Sequence, residues 1–234
     1  MLIYLISSTC ETERIQHIQQ IKKLFPNLVQ IEAIYPSKKK VPLLNKIKSI
    51  SAKRHDRALS NGEIGCLLSH RKAWQHFLNQ NDTTECLILE SDSLVVDLDL
   101  IIDNFKKVHS QYDLFFWGAF DGRMQLLRST KETINITYSI GKPLINSLYC
   151  TYGYSINKVA AKCLLQQTGM FDYPIDYWKR RLNGSALNVG GVQPNLIKTV
   201  DTFDSNIRTA SNKISTIFFD WVIDLKNSLI SNLR

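Results

Sequence analysis

The chain opens on a short apolar run, residues 2–6, that breaks into a polar turn. Ile15, Ile18, Ile21 and Leu24 follow at helical spacing, with Lys22 and Lys23 turned outward and Pro26 as a stop. Residues 28–34 alternate apolar and polar positions, as a half-buried strand does. Strand, helix and strand in that order predict parallel strands in an α/β sheet.

Ser60-Asn61-Gly62-Glu63 has the form of a helix start, and Ile64, Leu67, Leu68, Ala73, Trp74 and Phe77 mark the buried face of a helix to about Leu78. Residues 86–89 are wholly apolar, the pattern of a strand covered on both faces, and they end abruptly in Glu90-Ser91-Asp92. The pattern then predicts a helix over 98–108 and a strand over 114–117. Loops and a hairpin follow, with residues 134–138 strand-like. A strand over 149–156 comes next, then a helix capped by Asn157 and running through Leu165. Residues 169–178 form a turn-rich connection, and 196–200 a last strand. From Ser211, Ile214, Ile217, Phe218, Trp221, Val222, Leu225 and Leu229 lie on one stripe. The reading is one domain over 1–210, with a C-terminal amphipathic helix over 211–234 that packs on the domain or on a membrane surface.

Composition narrows the class. With 44% hydrophobic and 21% charged residues, the chain is ordinarily globular, which excludes disorder, collagen-like repetition and a coiled coil. No window holds the roughly 18 uninterrupted apolar residues of a membrane span, and the N-terminus reads as a core strand, not a signal peptide. Five cysteines, an odd number without a CxxC pair, argue against a zinc or disulfide framework and for the cytoplasm.

The net charge of +8 is concentrated. Lys38, Lys39, Lys40, Lys46, Lys48, Lys53, Arg54 and Arg57 stand against Asp56 alone, giving +7 within residues 38–57. Such a stretch implies an anionic partner (nucleic acid, a phosphorylated ligand or an acidic membrane), or else a solvated loop-helix. Nucleic acid is disfavoured, because the stretch has no interleaved aromatics and belongs to no recognised binding module.

Chemistry is concentrated at Glu90 and Asp92. Side chains two apart on an extended chain share one side, and ligands of α/β sheets collect beyond the carboxyl ends of strands. Hard oxygen donors there suit Mg²⁺ or Mn²⁺ bound together with phosphate. Polar turns also produce this string without any metal.

The run from Gly62 through Glu63, Ile64, Gly65, Cys66, Leu67, Leu68, Ser69, His70 and Arg71 to Trp74, followed by Leu87-Ile88-Leu89-Glu90-Ser91-Asp92, resembles the paired signature of glycosyltransferase family 25. This is the lipooligosaccharide galactosyltransferase family, to which the collagen galactosyltransferases are related. Tyr152-Gly153-Tyr154-Ser155-Ile156 with Ala160, Ala161, Leu164 and Leu165 is similar to its strand-helix element. Pro174-Ile175-Asp176 is similar to its PxD element, and residues 194–208, ending Ser205-Asn206-Ile207-Arg208, to its closing segment. With Arg14 after the first strand, the resemblance spans about residues 2–208. In two places the chain departs from the pattern. Ser91 stands where the family has the middle of three acids, and the Lys-rich residues 38–57 replace the usual spacer.

The resemblance implies a GT-A type α/β fold, its central sheet mostly parallel and flanked by helices. It also implies inverting transfer of a sugar, galactose from a UDP-galactose donor, onto a lipooligosaccharide or related bacterial surface glycan. Asp92 and Glu90 would hold Mn²⁺ or Mg²⁺ against the diphosphate and offset charge developing on the departing UDP. A carboxylate across the sugar would accept the acceptor hydroxyl's proton, Asp176 first and Asp121 second. Arg14, Glu63, His70, Arg71 and Tyr154 are the candidate substrate contacts.

Each of these residues also has a structural reading. Glu63 and Asp176 suit a helix start, His70 and Tyr154 suit packing with local hydrogen bonds, and Arg14 opens a surface helix. Trp74 reads as core. Residues 38–57 and the C-terminal helix read as docking surfaces for an anionic membrane or a phosphorylated glycolipid acceptor, at the inner face of the cytoplasmic membrane. Ser91 alone supports an alternative, a relative that binds nucleotide-sugar or glycan without efficient turnover.

Overall fold

The structure is a computed structural model that describes residues 1–54, 57–200, 228, 230 and 231. The helix expected over 211–234 lies outside the described residues apart from 228, 230 and 231, and the 194–208 motif lies outside them from 201 on. The first expected unit forms as read, with β1 (Leu2–Ser7), α1 (Ile15–Leu24) and β2 (Val29–Glu32). The Lys-rich stretch is more regular than its composition implies. Its second half is α2 (Leu44–Arg54), whose Ile47 packs with Leu59 and Ile64 in a small satellite core.

Next comes α3 (Asn61–Leu78), started by a capping box. Ser60 Oγ accepts the Glu63 amide at 3.1 Å, while the Glu63 carboxylate accepts the Ser60 amide at 2.7 Å. β3 (Glu85–Glu90), β4 (Ser93–Val95), α4 (Leu98–His109) and β5 (Leu114–Phe116) follow.

The hairpin is shifted from its expected position. Its strands are β6 (Glu132–Thr133) and β7 (Ser139–Gly141), and residues 134–138 are the turn between them. Asn135 Oδ1 accepts the amides of Thr137 and Tyr138 at 2.9 and 2.8 Å, an Asx turn that overrides the apolar pattern. The chain ends its described core with β8 (Gly153–Asn157), α5 (Lys158–Gln167), α6 (Trp178–Leu182), β9 (Val189–Gln193) and β10 (Ile197–Thr199).

The main sheet has the order β2-β1-β3-β8-β5-β9-β7-β6, and β10 pairs with β4 in a second, two-stranded sheet. β2, β1, β3, β5, β9 and β6 run one way, and β8 and β7 run the other. The sheet is therefore mostly parallel in direction, with β8 wedged antiparallel between β3 and β5.

Strand parity sorts the core onto two faces. Ile3, Leu5, Leu87 and Leu89 meet Ile18 and Ile21 of α1 and Ile101, Phe105 and Val108 of α4. Tyr4, Ile6, Cys86 and Ile88 meet Leu67, Trp74 and Phe77 of α3 and Ala160 and Leu164 of α5. Trp74 is fully buried, as core. Among the described residues no helix is long and apolar enough to cross a membrane, and all five cysteines are free thiols.

Docking of α3 depends on a missing side chain. A Cβ on Gly65 would fall 2.3 Å from the Ile34 carbonyl oxygen and 2.9 Å from Pro36 Cδ. One turn on, Ser69 Oγ accepts the Ile34 amide at 2.8 Å, tying the helix to the chain after β2. Gly65→Ala is expected to destabilise the fold by about 1–3 kcal/mol through overpacking against backbone. An unchanged urea midpoint would contradict the contact.

Candidate functional site

β1 and β3 are parallel neighbours, so both carboxyl ends open on the same edge of the sheet. The chain leaves β1 for β2 on one side, by way of α1, and returns to β3 on the other, by way of α3. The crevice between their ends is thus a topological switch point, where open α/β sheets bind ligands.

Parity puts Glu90 on the α3 face, and three residues converge on its Oε1. His70 Nε2 lies 2.9 Å away, Cys66 Sγ lies 3.9 Å away, and the Thr151 hydroxyl donates a short hydrogen bond. Cys66 and His70 are four apart on α3 and share one face. One turn further, Trp74 Nε1 donates to the Tyr154 hydroxyl at 2.8 Å, and that hydroxyl meets His70 Nδ1 at 2.8 Å. An indole can only donate, so the Tyr154 proton points to His70 Nδ1, and a neutral His70 carries its proton on Nε2, toward Glu90. Burial pushes the Glu90 carboxyl up, but the hydrogen bonds from His70 and Thr151 and the charge of Arg14 outweigh it and hold Glu90 below the usual carboxylate range.

Asp92 has the opposite electrostatics. The strand ends at Glu90, so Asp92 sits in the following turn and not in extended register with it. Its Oδ2 lies 3.2 Å from Arg14 Nη1. Its Oδ1 is buried with no hydrogen-bond partner among the described residues. Burial, then the charge of Glu90, push Asp92 up to about 6 against the pull of Arg14. Between the two acids, Ser91 turns to the other side. Its Oγ donates to Glu11 Oε1 at 2.6 Å and accepts from Arg14 Nη1 at 2.8 Å.

The chemistry of these donors decides what they can hold. The ligand atoms of Cys66, His70 and Glu90 all lie within 4.8 Å of one another. Burial and the Glu90 charge, however, push the Cys66 thiol well up and keep it protonated, and the His70 Nε2 proton is turned onto Glu90. That trio orients Glu90. The unpartnered Asp92 Oδ1 and the Glu90 Oε2, which none of the three donors reaches, are hard oxygens that fit a divalent cation. Both side chains also keep some exposure, 20% for Asp92 and 23% for Glu90.

The sequence-expected residues divide into two groups. Arg14, His70, Glu90 and Asp92 are brought together. Tyr154 is fully buried and presents no ring face to a ligand, so its expected substrate contact is corrected to a hydrogen bond that supports His70. Arg71 is directed to the end of α5, donating to Leu165 O at 2.6 Å and Thr168 Oγ1 at 2.5 Å and lying over the Phe171 ring. Glu63 caps α3 and takes both guanidinium nitrogens of Arg57, at 2.8 and 2.5 Å.

Asp176 is exposed between buried Ile175 and Trp178. Its charge adds to burial and to Glu90 in raising the Cys66 and Cys150 thiols. Asp121 is on the 3-10 turn Phe120–Gly122, and its side chain lies outside what is described. Glu11, Thr151 and Ser93, whose Oγ accepts the Glu90 amide at 2.9 Å, are site residues that sequence reading missed. Glu11 sits in the turn after β1, Ser93 at the start of β4 and Thr151 just before β8, where nothing in the local pattern marks a site.

An unfolded Asp titrates near about 4, so the unfolded chain releases the Asp92 proton before the folded one does. Asp92 therefore costs the fold stability as pH rises from about 4 to about 6. In metal-free protein near neutral pH, Asp92→Asn is expected to melt a few degrees above wild type, with the gap closing below about pH 4. An equal or lower Tm for the variant near neutral pH would contradict the geometry.

No curated protein matches the chain. One similar solved structure, the crystal structure of A197 from STIV, covers 91% of this chain and 98% of its own, at 10% identity and a TM-score of 0.44. The sequence profile of glycosyltransferase family 25 (LPS biosynthesis protein) matches residues 1–178, which takes in β1, α3, β3 and every residue gathered at the crevice. On that match the chain belongs to glycosyltransferase family 25.

Proposed function

We propose that the chain is an inverting, UDP-sugar-dependent transferase of GT-A type that moves galactose from UDP-galactose onto a lipooligosaccharide or related surface glycan. The observation that carries this reading is the acid pair at the end of β3, where Asp92 Oδ1 is buried without a hydrogen-bond partner among the described residues, beside the ionised Glu90. Asp92 and Glu90 would hold Mn²⁺ or Mg²⁺, which when bound supplies charge that offsets the negative charge developing on UDP. Arg14 fixes Asp92 from one side and adds a permanent positive charge.

A single displacement with inversion needs no protein nucleophile, only a base for the acceptor hydroxyl. Asp176 is assigned that role. Buried Ile175 anchors it on one side and Trp178 on the other, the latter donating its indole N–H to Cys150 O at 2.9 Å. The exposed Lys40, Lys46 and Lys53, with Arg54 paired to Asp172 at 4.0 Å, are suited to the phosphate groups of a glycolipid acceptor or an anionic membrane at the cytoplasmic face. Several of their neighbours are already partnered. Lys39 pairs with Glu32 at 3.6 Å and Arg57 with Glu63.

The test is UDP release from UDP-galactose in the presence of a lipooligosaccharide acceptor. Wild type should turn over with Mn²⁺, and Asp92→Ala should abolish turnover. Ser91 favours a second reading, binding without turnover, and wild-type protein that binds UDP but releases none from the sugar would establish it. Asp176→Asn is expected to lower kcat by about 10²–10⁴-fold with unchanged UDP affinity. Near-normal turnover would remove Asp176 from the role of base.

A further inference from the structure

The turn after β1 brings a third carboxylate into the acid cluster. Glu11 is buried, and its Oε2 accepts the Ser8 amide at 2.6 Å while the Tyr35 hydroxyl bonds the same group. Its Oε1 accepts the Ser91 hydroxyl at 2.6 Å and lies 3.5 Å from Arg14 Nη1. That one guanidinium nitrogen therefore touches Glu11, Ser91 and Asp92 at once.

Position 91 is the first residue of the turn after β3, and its side chain is directed at the Glu11 carboxylate. Ser91 is itself buried, 3% exposed, so a carboxylate there would meet the Glu11 carboxylate within hydrogen-bonding distance and out of water. Two such groups in one buried site repel strongly. Glu11 and a residue-91 acid are therefore mutually exclusive, and Ser91 is the small hydroxyl that fits when Glu11 is present.

We infer that Glu11 supplies the carboxylate that the strand-end motif lacks at position 91, and that Glu11 and Ser91 are positioning residues which hold Arg14 on Asp92 Oδ2 and leave Oδ1 open. Remove the Glu11 charge, and Arg14 keeps one acid neighbour fewer and closes onto Asp92, competing with a cation. The cation half rests on the proposed use of Asp92. The exchange half rests on the contacts alone.

The experiment is a double-mutant cycle on the full chain, read as metal-free Tm and as Mn²⁺ affinity by calorimetry. Ser91→Asp and Glu11→Ser should each lower Tm. The combined Glu11→Ser/Ser91→Asp protein should melt above both parents, because it restores one carboxylate facing one hydroxyl. Glu11→Ser should weaken Mn²⁺ binding about tenfold or more, as loss of an outer-shell partner does, and the double variant should recover it.

Glu11→Gln, which keeps the shape and loses the charge, serves if Glu11→Ser does not fold, and it should show the same loss of Mn²⁺ affinity. A Ser91→Asp protein as stable as wild type, or a double variant no better than its worse parent, overturns the exchange. Unchanged Mn²⁺ affinity in Glu11→Gln overturns the positioning role. Transfer activity enters neither readout, so an inactive wild type would defeat the proposed reaction and leave the exchange to be judged by Tm.

Discussion

The site depends on a charge held at the end of an apolar strand. β3 is buried on both faces up to Leu89, and the next residue is a carboxylate. Burying that group favours its protonation unless something opposes it, and the opposing group is His70, oriented by Tyr154 and Trp74. The conditions for this contact account for much of the surrounding architecture. The capping box starts α3 at a fixed residue, Gly65 lets the helix lie against the chain after β2, and the four-residue spacing of Cys66, His70 and Trp74 aims one face at Glu90 and its supports.

The two acids beyond β3 are then electrostatically unlike. Glu90 is locked and held ionised by α3, while Asp92 is pushed toward protonation by burial and by Glu90 itself. Environments that drive neighbouring titratable groups apart are a recurrent mark of functional sites. Here they also divide the labour of the fold. One face of the sheet anchors Glu90 through α3, and the turn that enters α1 on the other face governs Asp92 through Arg14, Ser91 and Glu11.

Much of this was legible in the sequence, for physical reasons. β1 and β3 announce themselves as unbroken apolar runs and α1, α3 and α4 by their helical period, while the family resemblance singled out His70, Glu90 and Asp92 in its signature and Arg14 after the first strand. The reversed direction of β8 has no local signal, since pairing direction is a property of the whole sheet. β9 was missed because its Gly190 and Gly191 lower strand propensity. The fold needs them where a Cβ would strike Tyr112 and Phe115 at 2.6 and 2.7 Å, or Met124 Sδ at 2.4 Å. α2 was obscured by its lysines, although Ile47 anchors it. Glu11 lies in a polar turn and Thr151 just before β8, both acting only through tertiary contact, and Arg71 is claimed by the end of α5, which no spacing along α3 could reveal.

The central claim is that Asp92 and Glu90 present a cation to the diphosphate of a nucleotide-sugar. The most direct measurement is the thermal shift of the full chain with UDP, with and without Mn²⁺. Binding to the folded state raises Tm, and a ligand at about 100 times its Kd adds about 2.7 kcal/mol. UDP should raise Tm by several degrees only when Mn²⁺ is present, and by none in Asp92→Ala. A UDP shift of equal size without Mn²⁺, or no shift under either condition, would contradict the account.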